Sequence, residues 1–160
     1  TTTRDGVALD TFLLAREFSE DEDEVRRAKR IEETIERLLR GDTWVSALLA
    51  NRRPAPPRVE AFTVAPEVYV NNALSDAFTV IEVAGRDRTG LLYELTNALS
   101  DLSLDIASAH VTTFGEKAVD VFYVPDLTGK KIDSEPRQEA IRKRIVAVLE
   151  DKLEKTAPPA

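Results

Sequence analysis

The sequence predicts an α+β fold: a four-stranded antiparallel sheet with two helices on one face, preceded by a truncated second copy of the same unit. Three observations carry this. From residue 76 onward, β-rich and helical patterns follow one another as strand, helix, strand, strand, helix. Residues 68–71 add a β-rich stretch in front, available as a fourth, edge strand. Residues 2–12 also match residues 112–122 at a constant offset of 110, without a gap. Thr2, Thr3, Ala8, Asp10 and Phe12 coincide with Thr112, Thr113, Ala118, Asp120 and Phe122, and Leu9 matches Val119 in kind. Strand–helix–strand–strand–helix with an added edge strand is the ferredoxin-like split βαβ plan, with a right-handed crossover.

Each element has its own signal. Residues 1–18 read as a clipped hairpin of the first copy. Val25, Ala28, Ile31, Ile35, Leu38 and Leu39 then form the apolar stripe of a helix that Gly41 ends. The acidic run 20–24 is a solvated helix start, favoured by the positive end of the helix dipole. A short helical pattern covers 44–49, and Pro54, Pro56 and Pro57 stiffen a linker. Residues 62–70 read as strand, interrupted at Pro66, and 68–72 face 77–80 as a hairpin. Residues 78–84 form the next strand, ending at Gly85. Leu91, Leu92, Leu95, Ala98, Leu99 and Leu102 recur at helical spacing. Residues 104–113 and 117–124 alternate around a turn at Phe114-Gly115-Glu116. Pro136 opens a last helix with Ile141, Ile145, Val148 and Leu149 on one side. The boundaries that follow are 1–50 for the truncated first unit, 51–66 for the linker, 67–153 for the complete unit and 154–160 for a tail.

Composition excludes several classes. The chain has 160 residues, 42% hydrophobic and 32% charged, which fits a soluble globule. No apolar run reaches the length of a membrane span and no signal pattern opens the chain. With no cysteine, disulfides, thiolate metal sites and thiol nucleophiles are out, which fits a cytoplasmic protein. Methionine is absent even from position 1, so the chain reads as a piece of something longer. A net charge of −7 repels nucleic acid backbones. One histidine cannot build a multi-histidine metal site, and no calcium-loop spacing is present.

The chemistry concentrates at the junction Gly85-Arg86-Asp87-Arg88-Thr89-Gly90. It is neither a phosphate loop nor a dinucleotide fingerprint. It offers the amides of Gly90, Leu91 and Leu92 at a helix N-terminus to an anion such as a carboxylate. Asp87 beside them can pair with an ammonium group, so the loop suits an amino acid zwitterion. Asp87 acting only as a helix cap is the competing reading. In the hairpin, a turn centred on Gly115 places His110 opposite Asp120. Ile106, Ser108, His110 and Thr112 then share a polar face, and Ala107, Ala109 and Val111 pack on the helices. A His–Asp pair could act as a base; a surface cross-strand pair is the alternative.

Residues 78–99 resemble the opening of an ACT domain, a small-metabolite sensor of this fold; Thr89 stands where the pattern has proline. Residues 106–124, Ile-Ala-Ser-Ala-His-Val-Thr-Thr-Phe-Gly-Glu-Lys-Ala-Val-Asp-Val-Phe-Tyr-Val, resemble the C-terminal ACT pair of one family. That family is the bifunctional uridylyltransferase/uridylyl-removing enzymes acting on PII nitrogen-signalling proteins. The resemblance implies a regulatory fragment, not an enzyme in itself. It implies that L-glutamine binds and shifts the parent between uridylylating and deuridylylating PII. It also implies that catalytic domains outside this chain use a divalent metal such as Mg, while this fragment needs no cofactor. The ligand-contact set so implied is Arg86, Asp87, Arg88, Thr89, Gly90, Leu91, Leu92, Ile106, Ser108 and His110. A structural module that self-associates, with no ligand of its own, is the alternative. The clipped hairpin at 1–18 carries Leu9, Phe12, Leu13 and Leu14 and implies a homodimer in which it packs against another sheet.

Overall fold

The structure is a computed structural model describing residues 14–50 and 64–150. The chain divides into two compact units between Arg52 and Arg53. The first contains α1 (Asp21–Arg40) and α2 (Val45–Ala50). Four acidic residues fill the first turn of α1, where the dipole favours them. Glu24 reaches back to accept the amides of Glu17 and Phe18, both at 2.6 Å. Gly41 ends α1 in a left-handed conformation; its N–H donates to Leu38 O and that of Asp42 to Arg37 O, a Schellman pair. None of the described residues of this unit is buried. The expected hairpin lies outside the described residues up to position 13, and 14–18 form no strand.

The second unit is the four-stranded antiparallel sheet that the sequence predicts. Its elements are β1 (Glu67–Asn71), β2 (Thr79–Arg86), α3 (Leu91–Asp101), β3 (Ser108–Phe114), β4 (Lys117–Val124) and α4 (Glu135–Glu150). The strand order is β1-β2-β4-β3, all neighbours antiparallel. The front strand β1 thus occupies the edge beside β2, as expected. Residues 62–63 of the expected longer strand lie outside the described residues, and 64–66 are irregular.

Period-two alternation sets the faces. Burial alternates along β4, so that Ala118, Asp120, Phe122 and Val124 point to the helix side. Across the ladder they stand beside Gly85, Val83, Ile81 and Thr79 of β2. Leu91, Leu95, Ala98 and Leu99 of α3 and Ile141, Ile145, Val148 and Leu149 of α4 join them in one core. Each fully buried apolar side chain of this kind stabilises the fold by about 1.5–3 kcal/mol. Gly85 lies in close approach to the core: a Cβ there would lie 2.8 Å from Leu149 Cδ2, so Leu149 would have to shift.

Two expectations about the hairpin fail. Gly115 and Glu116 form a two-residue turn, with Phe114 opposite Lys117. His110 therefore faces Val121, and Asp120 faces Val111. The register had one residue too many in the turn. The other end of the hairpin follows a different register, for Leu104 opposes Asp126, which carried onward would bring His110 to Asp120. A bulge absorbs the difference: Ala107 N donates to Tyr123 O while Ser108 is the register partner of Tyr123. The second failure concerns packing. Ala109, Val111 and Thr113 do lie on the helix side of the sheet, but every residue of β3 is exposed. The helices cover β1, β2 and β4 and stop short of the β3 edge.

Candidate functional site

The β2–α3 junction is held from three directions. Asp87 N donates to Glu116 O at 2.8 Å, extending the β2–β4 ladder past Arg86. Arg86 lies 3.9 Å from the Glu116 carboxylate. Arg88 turns inward: its Nη2 donates to Glu94 Oε2 at 2.5 Å and to Val148 O at 2.9 Å. One guanidinium thereby ties the loop to both helices. Sequence reasoning missed its partners; Glu94, in the first turn of α3, was the available signal.

Gly90, not Asp87, is the N-cap of α3, with φ 86°. That left-handed value is one that glycine adopts without strain. Leu91 N is taken by Arg88 O at 3.1 Å. The amides of Leu92 and Tyr93 have no hydrogen-bond partner among the described residues, and point the positive end of the helix outward. Asp87 is exposed, and its carboxylate makes no hydrogen bond or ion pair among the described residues. The capping alternative for Asp87 is therefore not what the structure has. Thr89 is exposed, Leu91 buried in the core and Leu92 exposed.

The remaining expected residues lie apart from this junction. Ile106 is half-buried against the core. Ser108 and His110 sit on the opposite face of the sheet from the helices, where the imidazole meets the Tyr123 ring edge-on at 5.8 Å. His110 has no carboxylate across the ladder to orient it as a base.

Asp120 takes a different place from the one expected. It is 2% exposed on the helix side, and its Oδ1 has no hydrogen-bond partner. Burial pushes its carboxyl above the usual carboxylate range; the Thr112 backbone amide opposes this and the Asp87 charge adds to it. The junction thus has an exposed and a buried carboxylate close enough to feel each other. No group of residues that could hold a metal ion occurs among the described residues. No helix among them is long and apolar enough to cross a membrane.

A family model described as the ACR9-like, ACT-like domain matches residues 67–156, more than half of the chain. The chain belongs to this ACT-like family. The matched span begins at the first residue of β1, so the front edge strand is part of the ACT-like unit. ACT-like domains are regulatory, ligand-binding modules. Among solved structures, the chain is similar to an unknown protein from Galdieria sulphuraria, at 25% identity and a TM-score of 0.34. The match covers 41% of this chain and 36% of that one, so the chain spans little more than a third of that protein's length.

Proposed function

We propose that the ACT-like unit is an amino acid sensor that binds L-glutamine at the Arg86–Leu92 junction. Asp87 holds the ligand's ammonium group, and the Leu92 and Tyr93 amides hold its carboxylate. One observation carries this reading: an exposed carboxylate without partners stands beside helix amides without partners, the two halves of a zwitterion site. Occupancy then controls uridylylation and deuridylylation of a PII protein by a cytoplasmic parent enzyme. The resemblance of residues 106–124 to that enzyme family supports the parent's identity.

Calorimetry on the whole chain tests the ligand. L-glutamine is expected to bind, and Asp87→Ala to weaken it at least about tenfold, since a charge-assisted hydrogen bond contributes roughly 1.5–3 kcal/mol. Unchanged affinity in the variant removes Asp87 from the site. No heat and no amide shifts with any α-amino acid end the sensor reading. In that case self-association through β3, an edge strand exposed along its whole length, becomes the better reading.

A further inference from the structure

We infer that Asp120 is the residue by which this site accepts an amino acid whose side chain ends in N–H donors and rejects one that ends in a carboxylate. This rests on the amino acid site proposed above and assigns it a selectivity.

Carboxylates are seldom buried unless paired, and a buried oxygen without a partner calls for an explanation. Among the described residues only two buried side-chain polar atoms have none: Asp120 Oδ1, an acceptor, and Arg88 Nη1, a donor. Arg88 belongs to the junction, and Asp120 is near enough to it to feel the Asp87 charge. On the helix side of β4, Asp120 is one step down from Ala118, whose partner Gly85 ends β2 just before Arg86. On its other flank stands Val111, half exposed because the helices stop short of β3. Asp120 is thus buried on the helix side of the sheet between Val83 of β2 and the half-exposed Val111 of β3.

The Thr112 backbone amide engages the Asp120 carboxylate and leaves Oδ1 without a partner among the described residues. The neighbours of Asp120 along the strand on that face are Ala118 and Phe122, and across it Val83 and Val111. The same aspartate is one of the five identities of the internal repeat, where it stands as Asp10. A carboxylate with an open lone pair accepts from a carboxamide or ammonium N–H, and repels a second carboxylate. The rise in its carboxyl pKa agrees with an acid lacking its partner. Asp87 serves the ammonium group common to all amino acids, so discrimination falls to Asp120.

Glutamine and glutamate test the assignment, titrated into the whole ¹⁵N-labelled chain and its D120N and D87N variants. Wild type is expected to prefer glutamine by roughly tenfold or more. D120N should bring the two within about threefold, because an amide tolerates either side chain. D87N should weaken both to a similar degree and keep the preference. Glutamine should also move the Thr112 amide and the Asp120 carboxyl carbon, and glutamate should not. If D120N keeps the full preference, Asp120 is a structural aspartate, and the sensor reading stands without it. If wild type binds no amino acid, both readings fall. Should D120N not fold, the wild-type signals decide: Thr112 and Asp120 resonances unmoved by bound glutamine overturn the assignment.

Discussion

Single carboxylates in this unit are tuned in opposite directions by what surrounds them. Asp120 is raised because burial disfavours its charge. Asp126 is pulled down to about 2 by the Thr128 hydroxyl first, then by the Lys130 amide. Its Oδ1 accepts from Thr128 Oγ1 at 2.7 Å, Thr128 N at 2.8 Å and Lys130 N at 3.0 Å. A depressed carboxyl pKa contributes stability above its unfolded value near pH 4 and loses it as pH falls toward the folded value. Asp126→Asn is therefore expected to lower the urea midpoint at neutral pH. The gap from wild type should narrow below about pH 4 and close only below about pH 2. A gap that stays constant across that range would mean the loop is held by something other than the charge. None of this was visible in the sequence. Asp-Leu-Thr-Gly-Lys at 126–130 has no expected element or role, and the bonds that tune Asp126 depend on how this segment closes.

At the level of elements, the ends of α3 show what sequence can and cannot tell. The leucine spacing that predicts α3 is realised: four of its six residues, Leu91, Leu95, Ala98 and Leu99, are buried, whereas Leu92 is exposed. Its C-terminus carries no glycine. Ser103 instead takes φ 58°, with its N–H donating to Ser100 O and that of Leu104 to Leu99 O. A left-handed non-glycine residue is strained by about 1 kcal/mol or more. Ser103→Gly is expected to stabilise the unit by up to ~1 kcal/mol, the larger entropy of an unfolded glycine taking back part of the gain. Thermal unfolding checks it, and a lowered midpoint would show that the serine side chain makes up for its backbone. The β3–β4 hairpin was misread for a related reason. Alternation places Ala109 and Val111 on one face, as they are, but Ile106, expected on the other, packs against the core. Alternation could not fix the register, because a two-residue turn and a bulge at Ala107 each move it by one place.

For the whole molecule, strand count, antiparallel order and the front edge strand were all legible, since each rests on a local pattern of alternation. Coverage was not, because where α3 stops relative to β3 depends on three-dimensional packing. That shortfall leaves Val111 50% exposed on the helix side, and Phe114 is 67% exposed on the opposite face, both on an edge strand with open backbone groups. Natural sheets blunt such edges with charge, proline or a covering element. The whole chain is therefore expected to sediment as a concentration-dependent dimer at micromolar levels. The double variant Val111→Lys, Phe114→Lys should shift it to monomer without lowering its melting temperature. A wild-type monomer at all concentrations would refute pairing through this edge.

The front position of β1 has a consequence for how the chain finds its fold. Asn71 and Val80, the nearest β1–β2 partners, are nine residues apart, and Phe114 and Lys117 of the other hairpin are three apart. An edge strand supplied from beyond Glu150 would instead have to close onto Arg86 across at least 64 residues. By the logarithmic cost of loop closure, the local arrangement saves about 1.7 kcal/mol of chain entropy. Two of the three strand pairings are thus short-range searches. The only distant pairing is the β2–β4 seam, which brings Gly85, and the junction behind it, alongside the strand that carries Asp120.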